Sequence, residues 1–221
     1  MRKGNSKVKL LLGAAIIIFG LFKYYSNSDI NEFTGKKQHI SISTEQEVAI
    51  GLQSAPQMAQ QHGGLYPDQK YQEFVDMVGQ KLVNNSVAKE TEYKYDFHLL
   101  KDPETINAFA LPGGQIFITY ALFSKLENED QLAGVLGHEI GHADMRHSTR
   151  QMTTMYGLQI VLEVAQMIAL GQTTPQINQL GLGLINLKNS RGHETEADQR
   201  SVLYLCGTPY NADGAAGFFE K

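Results

Sequence analysis

The chain has 221 residues, 42% of them hydrophobic, and a mean hydropathy of −0.26, values that suit one soluble domain with a sizeable core plus an appendage. Its net charge of −4, from 23 acids against 19 Lys and Arg, provides no general basic field and argues against nucleic acid as a partner. The single cysteine, Cys206, excludes an internal disulfide and any cysteine-rich metal site, so a bound metal must rest on His and carboxylate ligands.

The appendage stands at the start. Arg2, Lys3, Lys7 and Lys9 precede an apolar run from Leu10 to Phe22, then Lys23-Tyr24-Tyr25, the charge and aromatic pattern of an export or anchoring segment. Thirteen residues make about 20 Å of helix against a hydrocarbon layer of about 30 Å. Extending the span from Val8 to Tyr25, with Lys9 and Lys23 snorkelling, nearly closes that gap. Residues 1–28 are therefore read as a signal peptide or an N-terminal membrane anchor, with a lean towards the anchor. The basic flank places the rest of the chain on the far side of the membrane. Residues 29–43 read as a polar linker.

Thr44-Glu45-Gln46-Glu47 has the capping-box pattern and predicts a helix to about Gln61, stopped by His62-Gly63-Gly64. A second helix is expected from Gln69 to Val83, with Phe74, Val75, Met77, Val78 and Leu82 facing the core. Tyr93, Tyr95, Phe97 and Leu99 alternate with Lys94, Asp96 and His98, the period of a half-buried strand with His98 on its polar side. Ile106 to Leu111, the turn Pro112-Gly113-Gly114 and Gln115 to Thr119 predict a strand pair. An edge strand there could hold an extended peptide through backbone hydrogen bonds, with Asn107, Ala108, Phe109 and Ala110 as the candidate binding residues; a packed hairpin without that role is the alternative.

Asn128-Glu129-Asp130-Gln131 reads as a helix start, with Asn128 capping, Gln131 at the reciprocal capping-box position and two acids at the positive end of the dipole. Leu132, Val135, Leu136 and Ile140 then recur at helical spacing and would bury this helix. On it lies His138-Glu139-Ile140-Gly141-His142. At about 100° per residue, positions i and i+4 lie roughly 40° apart and one turn along the axis, so His138 and His142 can present ring nitrogens to one cation. Glu139, about 100° around from His138, suits a general base that addresses water rather than the metal. Met155 to Leu170 is apolar, but Gln159, Glu163 and Gln166 give it a polar stripe, so it reads as an amphipathic or buried globular helix.

A hydrolytic zinc site needs three protein ligands and one open position. The arrangement that continues the motif with a Gly and a third His is excluded, because Met145 and Ser148 stand at those positions. The better candidate is the segment Ser190-Arg191-Gly192-His193-Glu194-Thr195-Glu196-Ala197-Asp198 at the start of a later helix, read with Glu194 as the ligand. Asp198 shares its face and can accept the second ring N–H of a ligand histidine, and Arg191 can steady either carboxylate. Glu196, about 200° from Glu194, is expected in solvent, and His147 and His193 are expected at the surface or behind the ligands. An ordinary charged helix with internal ion pairs is the competing reading of this segment. Cys206, after Val202, Leu203 and Leu205, reads as a small core residue.

Asn107-Ala108-Phe109-Ala110-Leu111-Pro112-Gly113-Gly114, then Glu127-Asn128-Glu129, then Gly137 to His142 with Arg146-His147, and finally Ser190-Arg191 with Glu194 and Ala197-Asp198, resemble in combination the M48 (Ste24/HtpX-like) metallopeptidases. They are similar more narrowly to the bacterial envelope members that act in protein quality control. The resemblance covers about residues 40–220 and rests on three motifs in order. It implies an α+β, mainly helical zincin (gluzincin) fold with a small sheet beside the motif helix, over residues 44–221. It also implies one zinc ion per chain on His138, His142 and Glu194, Glu139 as catalytic base, and Asp198 behind the ligands. Members normally continue into a further helical segment with a Ser/Thr-x-His-Pro-like motif, whereas this sequence stops at Glu220-Lys221, so a truncated or minimal C-terminus is expected. The resulting expectation is a zinc endopeptidase acting on unfolded or misfolded envelope proteins. The alternative is a zinc-stabilised chaperone or adaptor that binds such clients without cutting them.

Overall fold

The computed structural model describes residues 5–26, 28–31, 35, 37–155, 157 and 189–213. Two compact units divide the chain: residues 1–43 with 149–187, and residues 44–148 with 188–221. In the first, helix α1 (Asn5–Ser26) is followed by an antiparallel pair, β1 (Ser28–Ile30) with β2 (Lys37–His39), in register Ser28 to His39. Among the described residues no helix is long and apolar enough to cross a membrane. The amphipathic helix expected over Met155 to Leu170 lies, beyond its first residues, outside the described part.

The second unit is an α+β fold, mainly helical with one small sheet. Its helices include α2 (Thr44–Gln61), α3 (Gln69–Asn84), the short α4 (Tyr120–Phe123), α5 (Glu129–Asp144) and α6 (Arg191–Cys206). Its strands are β3 (Asp96–Leu100), β4 (Ala108–Ala110) and β5 (Gln115–Thr119), in the order β3-β5-β4. β5 runs parallel to β3 and antiparallel to β4, with Phe97 opposite Ile116 and Phe109 opposite Phe117.

β5 is buried along its whole length because both faces of the sheet are covered. Ile116 and Ile118 join one core with Val75, Val78 and Leu82 of α3, Leu132, Leu136 and Ile140 of α5, and Tyr204 and Leu205 of α6. Phe117 points the other way, into a smaller cluster with Met58 of α2, Leu100 and Leu111. Between β4 and β5, Gly113 and Gly114 take φ of 79° and 96°, a region costly for residues with a Cβ, and a side chain on Gly113 would collide with the α2 backbone at Val48.

Three expectations are corrected. Met77 is 49% exposed, because the buried stripe of α3 runs through Val75, Val78, Gly79 and Leu82 and leaves Met77 on the opposite side. Cys206 is exposed, since the stripe of α6 facing α5 is Ala197, Arg200, Ser201, Tyr204 and Leu205. The strand expected from Tyr93 begins at Asp96, and Tyr93 instead sends its hydroxyl to Glu47. That contact explains a further departure: Glu47 does not complete a capping box but is a buried carboxylate that accepts from Arg146 Nε at 2.9 Å.

Candidate active site

α5 carries the motif, and its start is built locally. The Asn128 side chain accepts from Gln131 N at 3.0 Å, while Gln131 Oε1 reaches back to Glu127 N at 2.8 Å, one residue before the partner a capping box predicts. Leu132, Val135, Leu136 and Ile140 are buried as their spacing requires. This fixes the rotation of the helix and turns His138 and His142 towards α6.

α6 begins at Ser190, whose hydroxyl accepts from His193 N at 3.2 Å. It lies against α5 at a distance set by small residues. A Cβ on Gly141 would stand 2.9 Å from the Ala197 carbonyl oxygen, and one on Gly137 would stand 2.9 Å from Ser201 Oγ. The glycines four apart on one helix thus face Ala197 and Ser201, four apart on the other, and the backbones approach closely. One turn beyond, Asp144 of α5 accepts from Arg200 Nε at 3.2 Å and from the Tyr204 hydroxyl, joining the helices through a buried charged pair.

The close approach brings the candidate ligands together. His138 Nε2 and His142 Nε2 face each other at 2.9 Å. Glu194 Oε2 lies 3.3 Å from His138 Nε2, and Glu194 Oε1 lies 3.6 Å from His142 Nε2. Each of the three offers a ligand atom within 4.8 Å of the others. Tetrahedral coordination at bonds of about 2.0–2.1 Å puts ligand atoms roughly 3.3 Å apart, so these three positions fit a zinc-sized cation in both spacing and donor chemistry. His138 Nδ1 is 2.9 Å from Asp198 Oδ1, which leaves Nε2 as the ring's metal-binding atom. Burial, with His138, His147 and His193 adding to it, pushes the His142 ring down to about 2, so it is neutral with a lone pair available at ordinary pH.

Glu139 is 8% exposed and makes no hydrogen bond among the described residues. Burial pushes its carboxyl up to about 7, opposed by His138 and reinforced by Glu194. Such a group can take a proton near neutral pH and give it back.

Two residues lie elsewhere than the sequence suggests. Glu196, expected in solvent, is 6% exposed and accepts from His147 Nε2 at 3.1 Å. Its face of α6 is covered because Arg146, in the left-handed conformation with φ of 57°, ends α5 and lets the chain return with His147 buried against His142. Arg191 is exposed on the first turn of α6, and its guanidinium meets no carboxylate among the described residues. The sequence does carry a sign of the close α5–α6 contact in its Gly137/Gly141 and Ala197/Ser201 spacings, but only the fold pairs them.

On the sheet, Thr119 N donates to Asn107 O at 3.0 Å and Leu111 N to Gln115 O at 2.8 Å. By the alternation of an antiparallel ladder, Ala108 and Ala110 therefore turn their backbone groups to the outer edge, where Ser148 Oγ reaches Ala110 O at 3.4 Å. Phe109 stacks on Phe117 and lies against the ring of His62.

Comparison with known proteins identifies the family. The chain is 30% identical over 198 residues to a beta-barrel assembly-enhancing protease of Yersinia pestis, covering 85% of this chain and 40% of that protein. It is 25% identical over 224 residues to the mitochondrial metalloendopeptidase OMA1 of Schizosaccharomyces pombe, covering 98% and 64%. It is 27% identical over 183 residues to the metalloprotease YcaL of Escherichia coli, covering 81% and 70%. The chain thus spans less than two thirds of the first two relatives' own length. The model of peptidase family M48 matches residues 69–219, which takes in β3 to β5, the motif helix and α6; the chain belongs to that family of metallopeptidases.

Proposed function

We propose that this chain is a zinc-dependent endopeptidase that cuts unfolded or misfolded exported proteins on the periplasmic side of the cell envelope. On this reading it is held there by one N-terminal span or released after signal cleavage. The observation that carries the proposal is the convergence of His138, His142 and Glu194 beside a buried Glu139 that makes no hydrogen bond among the described residues. The names of the relatives, all proteases, support the reaction class, and that of the Yersinia protein supports clients of the exported kind.

His138, His142 and Glu194 would hold zinc, which would supply a Lewis acid for the scissile carbonyl and the attacking water. The residues of the chain do the rest. Glu139 accepts the proton released as water attacks the carbonyl carbon and passes it to the departing amine nitrogen. Asp198 orients His138 by accepting its Nδ1–H. The outward backbone groups of Ala108 and Ala110 pair with an extended substrate strand, with Asn107 and Phe109 shaping the same edge.

Glu139→Gln separates this reading from a non-cleaving binder. The variant should keep its zinc and its fold while hydrolysis of an unfolded protein falls by about a thousandfold, the scale of losing a general base. Turnover at the wild-type rate would remove Glu139 from its role.

A further inference from the structure

Beyond the ligands and Asp198, a second hydrogen-bonded chain reaches the site. His142 Nδ1 lies 2.7 Å from His147 Nδ1, and His147 Nε2 lies 3.1 Å from Glu196 Oε2. His147 is 1% exposed and Glu196 6%, so neither contact is a solvent-side accident. The ring of His147 is further fixed by stacking on His193, with centroids 4.4 Å apart and planes 10° from parallel. Asn189 Nδ2 stands 3.4 Å from both ring nitrogens of His142, too far to compete with the 2.7 Å contact.

We infer that His147 and Glu196 are positioning residues that set the tautomer and orientation of the metal ligand His142, an inference that rests on the metal-site reading above. On that reading His142 offers its Nε2 lone pair to the cation, beside Glu194 and His138. Its ring proton then sits on Nδ1, and the 2.7 Å contact makes His147 Nδ1 the acceptor. A His147 ring that accepts at Nδ1 carries its N–H on Nε2, where the Glu196 carboxylate receives it at 3.1 Å. His138 has the same arrangement in shorter form, with Asp198 accepting directly from its Nδ1. The two imidazole ligands are thus each oriented by a carboxylate, His138 directly and His142 through an intervening histidine.

The test pairs zinc affinity with imidazole protonation in the full chain. Glu196→Leu removes the acceptor and should weaken zinc binding, measured by competition with a chromophoric chelator, by about ten- to a hundredfold. Glu196→Gln keeps an oxygen that can accept from His147 Nε2–H and should stay within about threefold of wild type. Nitrogen-15 NMR of the zinc-loaded wild type should show His147 protonated on Nε2 and bare on Nδ1, a signature that a purely space-filling role would not fix. A folded Glu196→Leu with wild-type zinc affinity, or a wild-type His147 carrying its proton on Nδ1, overturns the inference. If Glu196→Leu does not fold, the wild-type spectrum decides alone. A wild-type chain that takes up no zinc overturns the metal-site reading, and this inference with it.

Discussion

Gly141 and Ala197 touch backbone to backbone: the place a Cβ would occupy on the first is 2.9 Å from the carbonyl oxygen of the second. The obstacle is main chain, so it cannot rotate away, and Gly141→Ala must move α6 off α5 beside His138 and His142. We expect a loss of about 1–3 kcal/mol in denaturant unfolding, the range for overpacking, together with weaker zinc binding. Gly137→Ala meets the Ser201 hydroxyl, which can turn, and should cost less. Equal effects at the two glycines would show that backbone contact does not set the spacing.

The pair of Glu47 and Arg146 holds the end of α5 from a distance of 99 residues in sequence. Arg146 has φ of 57°, so that ion pair also secures a conformation unfavourable for a residue with a Cβ. Glu47→Leu takes the carboxylate from both Arg146 and the Tyr93 hydroxyl and should lower stability by roughly 3 kcal/mol. In a double-mutant cycle with Arg146→Met, the two losses should fall clearly short of adding; strict additivity would mean that the pair is not coupled.

Asp102 sets a pH dependence. The N–H of Thr105, the His62 ring and the N–H of Glu104 hold its carboxyl well below the usual carboxylate range. A folded-state value below the unfolded one means that the contribution is complete above the ordinary value of 3.8 and is lost as pH falls below it towards the folded value. The stability difference between wild type and Asp102→Asn should therefore shrink as pH falls below 3.8. A difference that grows on acidification below that value would reverse the sign and reject the assignment.

A chelator should abolish hydrolysis in the wild type, and stoichiometric zinc should restore it. Loss of metal should also lower the unfolding temperature, because an ion bound only by the folded state adds to stability by mass action. Full activity after exhaustive chelation would exclude a metal mechanism.

Much of the fold was legible where the signal is local. Asn128 caps α5, Leu132, Val135, Leu136 and Ile140 are buried, and Gln115 to Thr119 forms the central strand, because each depends on neighbours within one turn or one pleat. The fates of Glu47 and Glu196 could not be read that way. Each is a carboxylate whose burial depends on a cation or ring delivered by a distant segment, Arg146 for one and His147 for the other. Met77 and Cys206 show a smaller limit: an apolar residue beside the buried stripe reads like a member of it until the facing helix fixes the rotation. Glu194 could be picked out as a candidate, but its approach to within 3.3 Å of His138 rests on the glycine contacts between the helices.

The most direct measurement is elemental analysis of the purified chain beside its Glu194→Ala variant, with both shown to be folded. One zinc per wild-type chain and little in the variant is the predicted result. Unchanged stoichiometric zinc in Glu194→Ala would contradict the site built from His138, His142 and Glu194.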